Sequence, residues 1–179
     1  MKKTLLVLLT PLLALVTFAL DQYTKYLVST NLAVGEAWMP IQAIEPYFVI
    51  RHIRNSGAAF GMFPWAGNIF LGIAIVVTLG IARYYYQHAR TAPLPVRISL
   101  GLMLGGALGN MIDRIRFGYV VDMFDLGWWP VFNIADSCVF LGVTTLALYM
   151  GLLQPQKTAE APSETLNSAP TPLSQQQTE

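Results

Sequence analysis

Ile69-Phe70-Leu71-Gly72-Ile73-Ala74-Ile75-Val76-Val77 is an apolar run without a charge, inside a longer stretch over residues 65–82 that ends before Arg83. A helix crosses a bilayer with about 20 mostly apolar residues, so this stretch predicts a spanning helix. Three more candidates lie around it. Residues 4–23 hold Leu5-Leu6-Val7-Leu8-Leu9 and Leu12-Leu13-Ala14-Leu15-Val16, with no charge before Asp21. Residues 96–112 and 130–153 complete the set, with Asp136 in the first turns of the last. The first run also fits a cleaved leader, since Lys2-Lys3 precede it. Thr17-Phe18-Ala19 makes a poor small-x-small cleavage site and the run is long for a leader, so it is read as a retained helix.

The whole-chain arithmetic agrees. Of 179 residues, 54% are hydrophobic and 12% charged, against about 25% charged in an average soluble domain. One soluble domain of this size could not hide that much apolar surface. Net charge is +1, from 11 basic and 10 acidic residues, so no excess exists to neutralise phosphates and no nucleic-acid partner is expected. The single cysteine, Cys138, excludes an internal disulfide framework and a cysteine-clustered metal site. The expected fold is an all-α polytopic membrane protein of four transmembrane helices.

Four spans put both termini on one side. Lys2, Lys3, Arg83, Arg90 and Arg97 mark that side as cytoplasmic by the positive-inside rule. The opposite side carries Lys25, Arg51, Arg54, Arg114 and Arg116, mixed with Asp21, Glu36, Glu45, Asp113, Asp122 and Asp125. Its first loop, residues 25–64, contains Tyr47-Phe48-Val49-Ile50-Arg51-His52-Ile53-Arg54, which reads as a half-buried strand. Trp38-Met39-Pro40-Ile41 offers a partner, so a small β-sheet is expected within this first outer, periplasmic loop. Trp38, Tyr47, Phe63, Trp65, Trp128 and Trp129 fall at outer boundaries and Tyr84-Tyr85-Tyr86 at the inner one, where aromatic belts form. Residues 1–153 form the expected membrane domain. Residues 154–179, rich in Gln, Thr, Ser, Pro and Ala, read as a disordered tail dispensable for activity.

In a lipid-embedded chain the few charges are the informative residues. Gly101, Gly105 and Gly109, with Gly106 beside them, give the third span a small-residue face for close helix approach. Asn110, Asp113 and Arg114 follow within one turn. Asp122 lies in the hydrophobic run Tyr119-Val120-Val121-Asp122-Met123-Phe124, and Asp136 in Phe132-Asn133-Ile134-Ala135-Asp136-Ser137. These carboxylates are 14 residues apart across the turn Gly127-Trp128-Trp129-Pro130, which lets the chain bring them together near the outer interface. Two aspartates in a low-dielectric site cannot both ionise easily, so one keeps its proton. The ionised one takes a proton from water and the protonated one polarises a carbonyl, as in aspartic proteases. Each also fits a helix cap or a salt bridge to Arg114 or Arg116. Asn55-Ser56-Gly57-Ala58-Ala59-Phe60-Gly61 offers an amide and close backbone approach, or a plain loop-to-helix junction. Asp21 and Lys25, four apart, read as an ion pair at the end of the first span.

Together these stretches resemble the bacterial lipoprotein signal peptidase family, also called signal peptidase II. The likeness rests on Asp21-Gln22-x-x-Lys25, Asn55-x-Gly57-Ala58-Ala59-Phe60, Gly105-Gly106-Ala107-Leu108-Gly109-Asn110-x-x-Asp113-Arg114, Val120-Val121-Asp122 and Phe132-Asn133-x-Ala135-Asp136. It covers Leu5 to about Leu153 and leaves the tail unmatched. The resemblance implies an intramembrane aspartic endopeptidase that removes signal peptides from diacylglyceryl-modified prolipoproteins, just before the lipidated cysteine. It implies Asp122 and Asp136 as the catalytic pair. Asn55, Gly57, Asn110, Arg114 and Asn133 are the expected substrate-side residues, with Asp21, Lys25 and Asp113 in support. It implies no metal or cofactor, with membrane lipid and prolipoprotein as partners. A monomer suffices, in the bacterial inner membrane, with its active site near the outer face. Asp125 competes by position with Asp122, and the family pattern favours Asp122.

Other chemistries find less support. Lys25 with Ser29 lacks a constellation, His52 and His88 fall at opposite sides, no HExxH exists, and Cys138 lacks a histidine partner. An ion-coupled carrier is disfavoured because the acids cluster near one interface and the second span is uncharged.

Overall fold

A computed structural model describes residues 2–41, 43, 47–57 and 67–153. Within them lie α1 (Lys2–Asn31), β1 (Ala37–Trp38), β2 (Val49–Asn55), α2 (Gly67–His88), α3 (Leu94–Phe117), β3 (Val120–Asp125) and α4 (Ile134–Leu148). A wider helical turn, Tyr149–Leu153, extends α4. The four helices provide bilayer-length apolar stretches of 26, 22, 24 and 19 residues. The tail, and Phe63 and Trp65 of the expected outer belt, lie outside the described residues.

The helices are organised inside out. On α1 the side chains of Leu8, Leu12, Leu15 and Leu20 are exposed, while Thr10, Thr17, Asp21 and Lys25 are buried. Lipid as solvent reverses the usual preference: apolar side chains face out, and polar ones must find partners inside. The buried α1 positions recur every three to four residues and meet α3. A Cβ on Gly105 would fall 2.5 Å from the Ala14 carbonyl and 2.6 Å from Thr17 Cβ; one on Gly101 would fall 2.9 Å from Leu13 Cβ. One on Gly109 would strike the Asp21 carboxylate. Gly106 faces the other way, 2.5 Å (as a Cβ) from the Ala135 carbonyl of α4. Thus α3 is the central helix, with α1, α2 and α4 packed on it.

Helix ends differ from the expected spans in informative ways. Asp21 and Lys25 do not end the first helix, which continues to Asn31. Their charges are paired, and no Gly or Pro intervenes before Gly35, at φ +87°. The α3 helix runs past Ile112 to Phe117. Gly118 then stops it in the left-handed conformation, φ +79°, with its N–H on the Arg114 carbonyl at 3.0 Å. Arg97, counted above among inner-side loop charges, is buried in α3. It donates to the carbonyls of Leu6 (2.8 Å), Ala89 (2.5 Å) and Ala92 (2.7 Å).

The sheet departs most from expectation. It is three-stranded, antiparallel, in the order β1-β2-β3. Its first two strands come from the segment between α1 and α2. The third comes from the segment between α3 and α4, so the sheet is not confined to the first loop. Asp122 therefore sits on a strand, opposite Ile53. Val121 and Met123 of β3 pack with Val28 in the core between sheet and α1.

Candidate active site

The site is assembled by the start of α4. Asn133 is the N-cap: its Oδ1 accepts the Asp136 N–H at 2.9 Å, and Asp136 Oδ2 accepts the Asn133 N–H at 3.2 Å. This is a reciprocal capping box, which satisfies N–H groups that a helix leaves open. Asn133 is fully buried, and its remaining group is used inward. Its Nδ2 donates to Asp122 Oδ1 at 2.7 Å and to Asn110 Oδ1 at 3.1 Å. One residue thus holds both carboxylates, Asp136 through backbone and Asp122 through side chain.

Asp122 is 2% exposed. A second amide, Asn55 Nδ2, donates to its Oδ2 at 2.9 Å, and Asn55 Oδ1 accepts the Gly57 N–H at 3.1 Å. Burial, then the neighbouring Asp136 charge, push the Asp122 carboxyl up to about 7, against the pull of both amides and Lys25. Asp125, the positional rival, points elsewhere and pairs with Arg51 at 2.8 Å. Partial burial tends to raise its carboxyl, but Arg51 and the Gly127 N–H hold it below the usual range.

Asp136 is half-buried and accepts Asn110 Nδ2 on Oδ1 at 2.8 Å. The other end of Asn110, Oδ1, accepts Lys25 Nζ at 2.8 Å. Lys25 is itself buried between Asp21 (2.8 Å) and Asp113 (2.9 Å). Asp21 Oδ1 takes the Ala135 N–H at 2.9 Å, and Asp113 Oδ2 takes the Val121 N–H at 3.3 Å. The two acids therefore tie α4 and β3 to the α1–α3 pair. Asp113 pairs across helices with Lys25, rather than with an arginine of its own helix end.

Three asparagines present amide N–H groups to the two carboxylates. In each the oxygen end is occupied: by Gly57 N–H for Asn55, by Lys25 and the Asn133 Nδ2 for Asn110, and by Asp136 N–H for Asn133. Arg114 stands beside them. Its Nη1 donates to the Asn110 carbonyl at 3.3 Å and its guanidinium lies 5.9 Å from the Phe70 ring centre. Its Nε is buried and has no partner among the described residues. Against Asp136 opens an apolar cavity of about 540 Å³, walled by Leu126, Trp129, Phe132, Phe140 and Leu141. Among the described residues, no group of three or more His, Cys, Asp or Glu is placed to hold a metal ion.

All ten residues singled out from the sequence converge on this network, directly or through one neighbour. Gln22 was missed: its Nε2 donates to Asp113 Oδ1 (2.9 Å), Asp21 Oδ2 (3.2 Å) and the Gly109 carbonyl (3.3 Å). Its place in Asp21-Gln22-x-x-Lys25 was the only signal. Ala58-Ala59-Phe60-Gly61 lies outside the described residues.

Fold and site define an integral membrane protein whose polar interior gathers around one pair of carboxylates, Asp122 buried and Asp136 half-buried. The profile of the family described as signal peptidase (SPase) II matches residues 13–152. The chain is 46% identical over 135 residues to a lipoprotein signal peptidase of Moorella thermoacetica, covering 75% of this chain and 87% of that one. It is 44% identical over 139 residues to that of Halothermothrix orenii, covering 78% and 92%. A solved structure titled as a bacterial membrane enzyme, at 2.3 Å resolution, superposes with TM-score 0.72 and 31% identity over 79% of this chain and 86% of that one. The chain belongs to the signal peptidase II family, and so to the proteases.

Proposed function

We propose that the chain is an intramembrane aspartic endopeptidase that removes the signal peptide from diacylglyceryl-modified prolipoproteins, cutting just before the lipidated cysteine. The observation that carries this reading is the shared tether: Asn133 holds Asp122 and Asp136 in one buried network. Asp122 keeps its proton up to about pH 7. Asp136, half-buried at the N-terminus of α4, serves as the general base. Asp136 takes a proton from water as the water oxygen attacks the scissile carbonyl carbon, while Asp122 gives its proton to the carbonyl oxygen. Collapse of the tetrahedral intermediate breaks the C–N bond; the proton held by Asp136 passes to the leaving amine, and the hydroxyl formed from the carbonyl returns its proton to Asp122, which restores the pair. Arg114, whose guanidinium lies beside both carboxylates, positions the substrate backbone. The cavity beside Asp136 suits the apolar group next to the cut. The chemistry calls for no metal or cofactor. The site faces the outer side of the inner membrane, with both termini cytoplasmic, and one copy suffices.

The decisive measurement uses purified full-length protein and a diacylglyceryl-modified precursor, scoring release of the free signal peptide. Asp122→Asn and Asp136→Asn are each expected to lose more than about 1,000-fold in kcat, while Asp125→Asn keeps most activity. Full cleavage by Asp122→Asn overturns the reading.

A further inference from the structure

We propose that Lys25 is a positioning residue that acts on Asp136 through Asn110, by fixing which end of the Asn110 amide faces the carboxylate. The proposal rests on the assignment of Asp122 and Asp136 as the catalytic pair. Lys25 touches neither of them. Its three N–H groups are taken by Asp21, Asp113 and Asn110 Oδ1, at 2.8, 2.9 and 2.8 Å. An asparagine amide has a donor end and an acceptor end of nearly the same shape, so its orientation is set by what lies at each end. Here a buried cation holds the oxygen at 2.8 Å, with the Asn133 Nδ2 donating to it at 3.1 Å, and the NH₂ points at Asp136 Oδ1, 2.8 Å away.

Without Lys25 only the Asn133 side-chain N–H, at 3.1 Å, still favours this orientation, and two buried acids oppose it. The acids Asp21 and Asp113 would draw the NH₂ toward themselves, and the Asn110 oxygen would turn toward Asp136. An oxygen facing a carboxylate repels its charged form, and the pair would lose its base. The other two asparagines need no such device. Backbone N–H groups hold their oxygens, Gly57 for Asn55 and Asp136 itself for Asn133. Asn110 sits mid-helix, where backbone N–H groups are already used, so side-chain donors, the Lys25 cation first and Asn133 at longer range, supply what the backbone supplies elsewhere.

The test is a double-mutant cycle on the full chain, with kcat and KM read on a lipidated precursor. Lys25→Met is expected to lower kcat about 100-fold with KM within about 3-fold. In an Asn110→Ala background, the same substitution is expected to change kcat by less than about 3-fold, because its route to Asp136 is already gone. Lys25→Met strands two buried acids, so the cycle is repeated with Asp113→Asn, which restores the local charge balance; the kcat loss is expected to persist in that folded variant. Equal factors in both backgrounds, or wild-type kcat in the charge-balanced variant, overturn the role of Lys25 and leave the catalytic assignment standing. Cleavage that survives Asp136→Asn overturns the assignment itself, and this proposal with it.

Discussion

Asp122 couples the chemistry to pH with a definite sign. Its carboxyl sits near 7 in the folded chain against 3.8 for the ordinary group. Between those values the folded protein keeps a proton that the unfolded chain has lost. Its contribution to stability is therefore present below about pH 4 and declines as pH rises toward 7. On the proposed mechanism, cleavage also falls above about pH 7, as the acid loses its proton. Asp122→Asn should flatten the loss of thermal stability from pH 4 to 7 while abolishing cleavage; thermal unfolding in detergent at several pH values reads the first effect. Asn133 permits a cleaner separation. Asn133→Ser keeps a good N-cap, within about 1 kcal/mol, but its short hydroxyl cannot reach both Asp122 and Asn110. The expected result is a small change in unfolding midpoint with a kcat loss of at least about 100-fold.

At the scale of elements, the glycine face of α3 is what brings Asp21 and Lys25 of α1 to the site. Gly105→Val would put a side chain into the Ala14 carbonyl and Thr17, at an expected cost of about 1–3 kcal/mol. Gly72 on α2 has open space around it, so Gly72→Ala should be neutral or slightly stabilising. Paired unfolding measurements on these two variants separate close packing from helix propensity. The same scale shows what could be read in advance. Membrane length and the small-residue face lie in local patterns, so the four helices were legible, and the local patterns around Asp122 and Asp136 single out two residues that the fold brings into one network through Asn133. The β2–β3 pairing was not. Asn55 and Val120 are far apart in the chain, and alternation in one strand does not name its partner. Nor could spacing reveal that Lys25 reaches both Asp113 and Asn110, because those contacts depend on how closely two helices approach. Gln22 escaped for the same reason.

Across the whole molecule, polar groups run inward from both helices and sheet, while the cavity beside Asp136 opens among exposed apolar residues such as Phe140 and Leu141. Leu141→Trp would fill part of that cavity. It should raise KM for the lipidated precursor about 10-fold or more with little change in unfolding midpoint, as expected of one lost apolar contact region. Removal of residues 154–179 should leave kcat and KM unchanged, measured on the same substrate.

The capping box of α4 has a consequence for how the protein comes to be active. The groups that open the last helix, Asn133 and Asp136, are the ones that gather the acidic pair. On the proposed assignment, an in-register start of the final helix is one requirement for an active enzyme, beside the contacts that β3 and α3 supply through Asp122 and Asn110, and a chain whose last segment is misregistered is inert. Hydrolytic competence in a protease of this build therefore waits on correct insertion of its last segment.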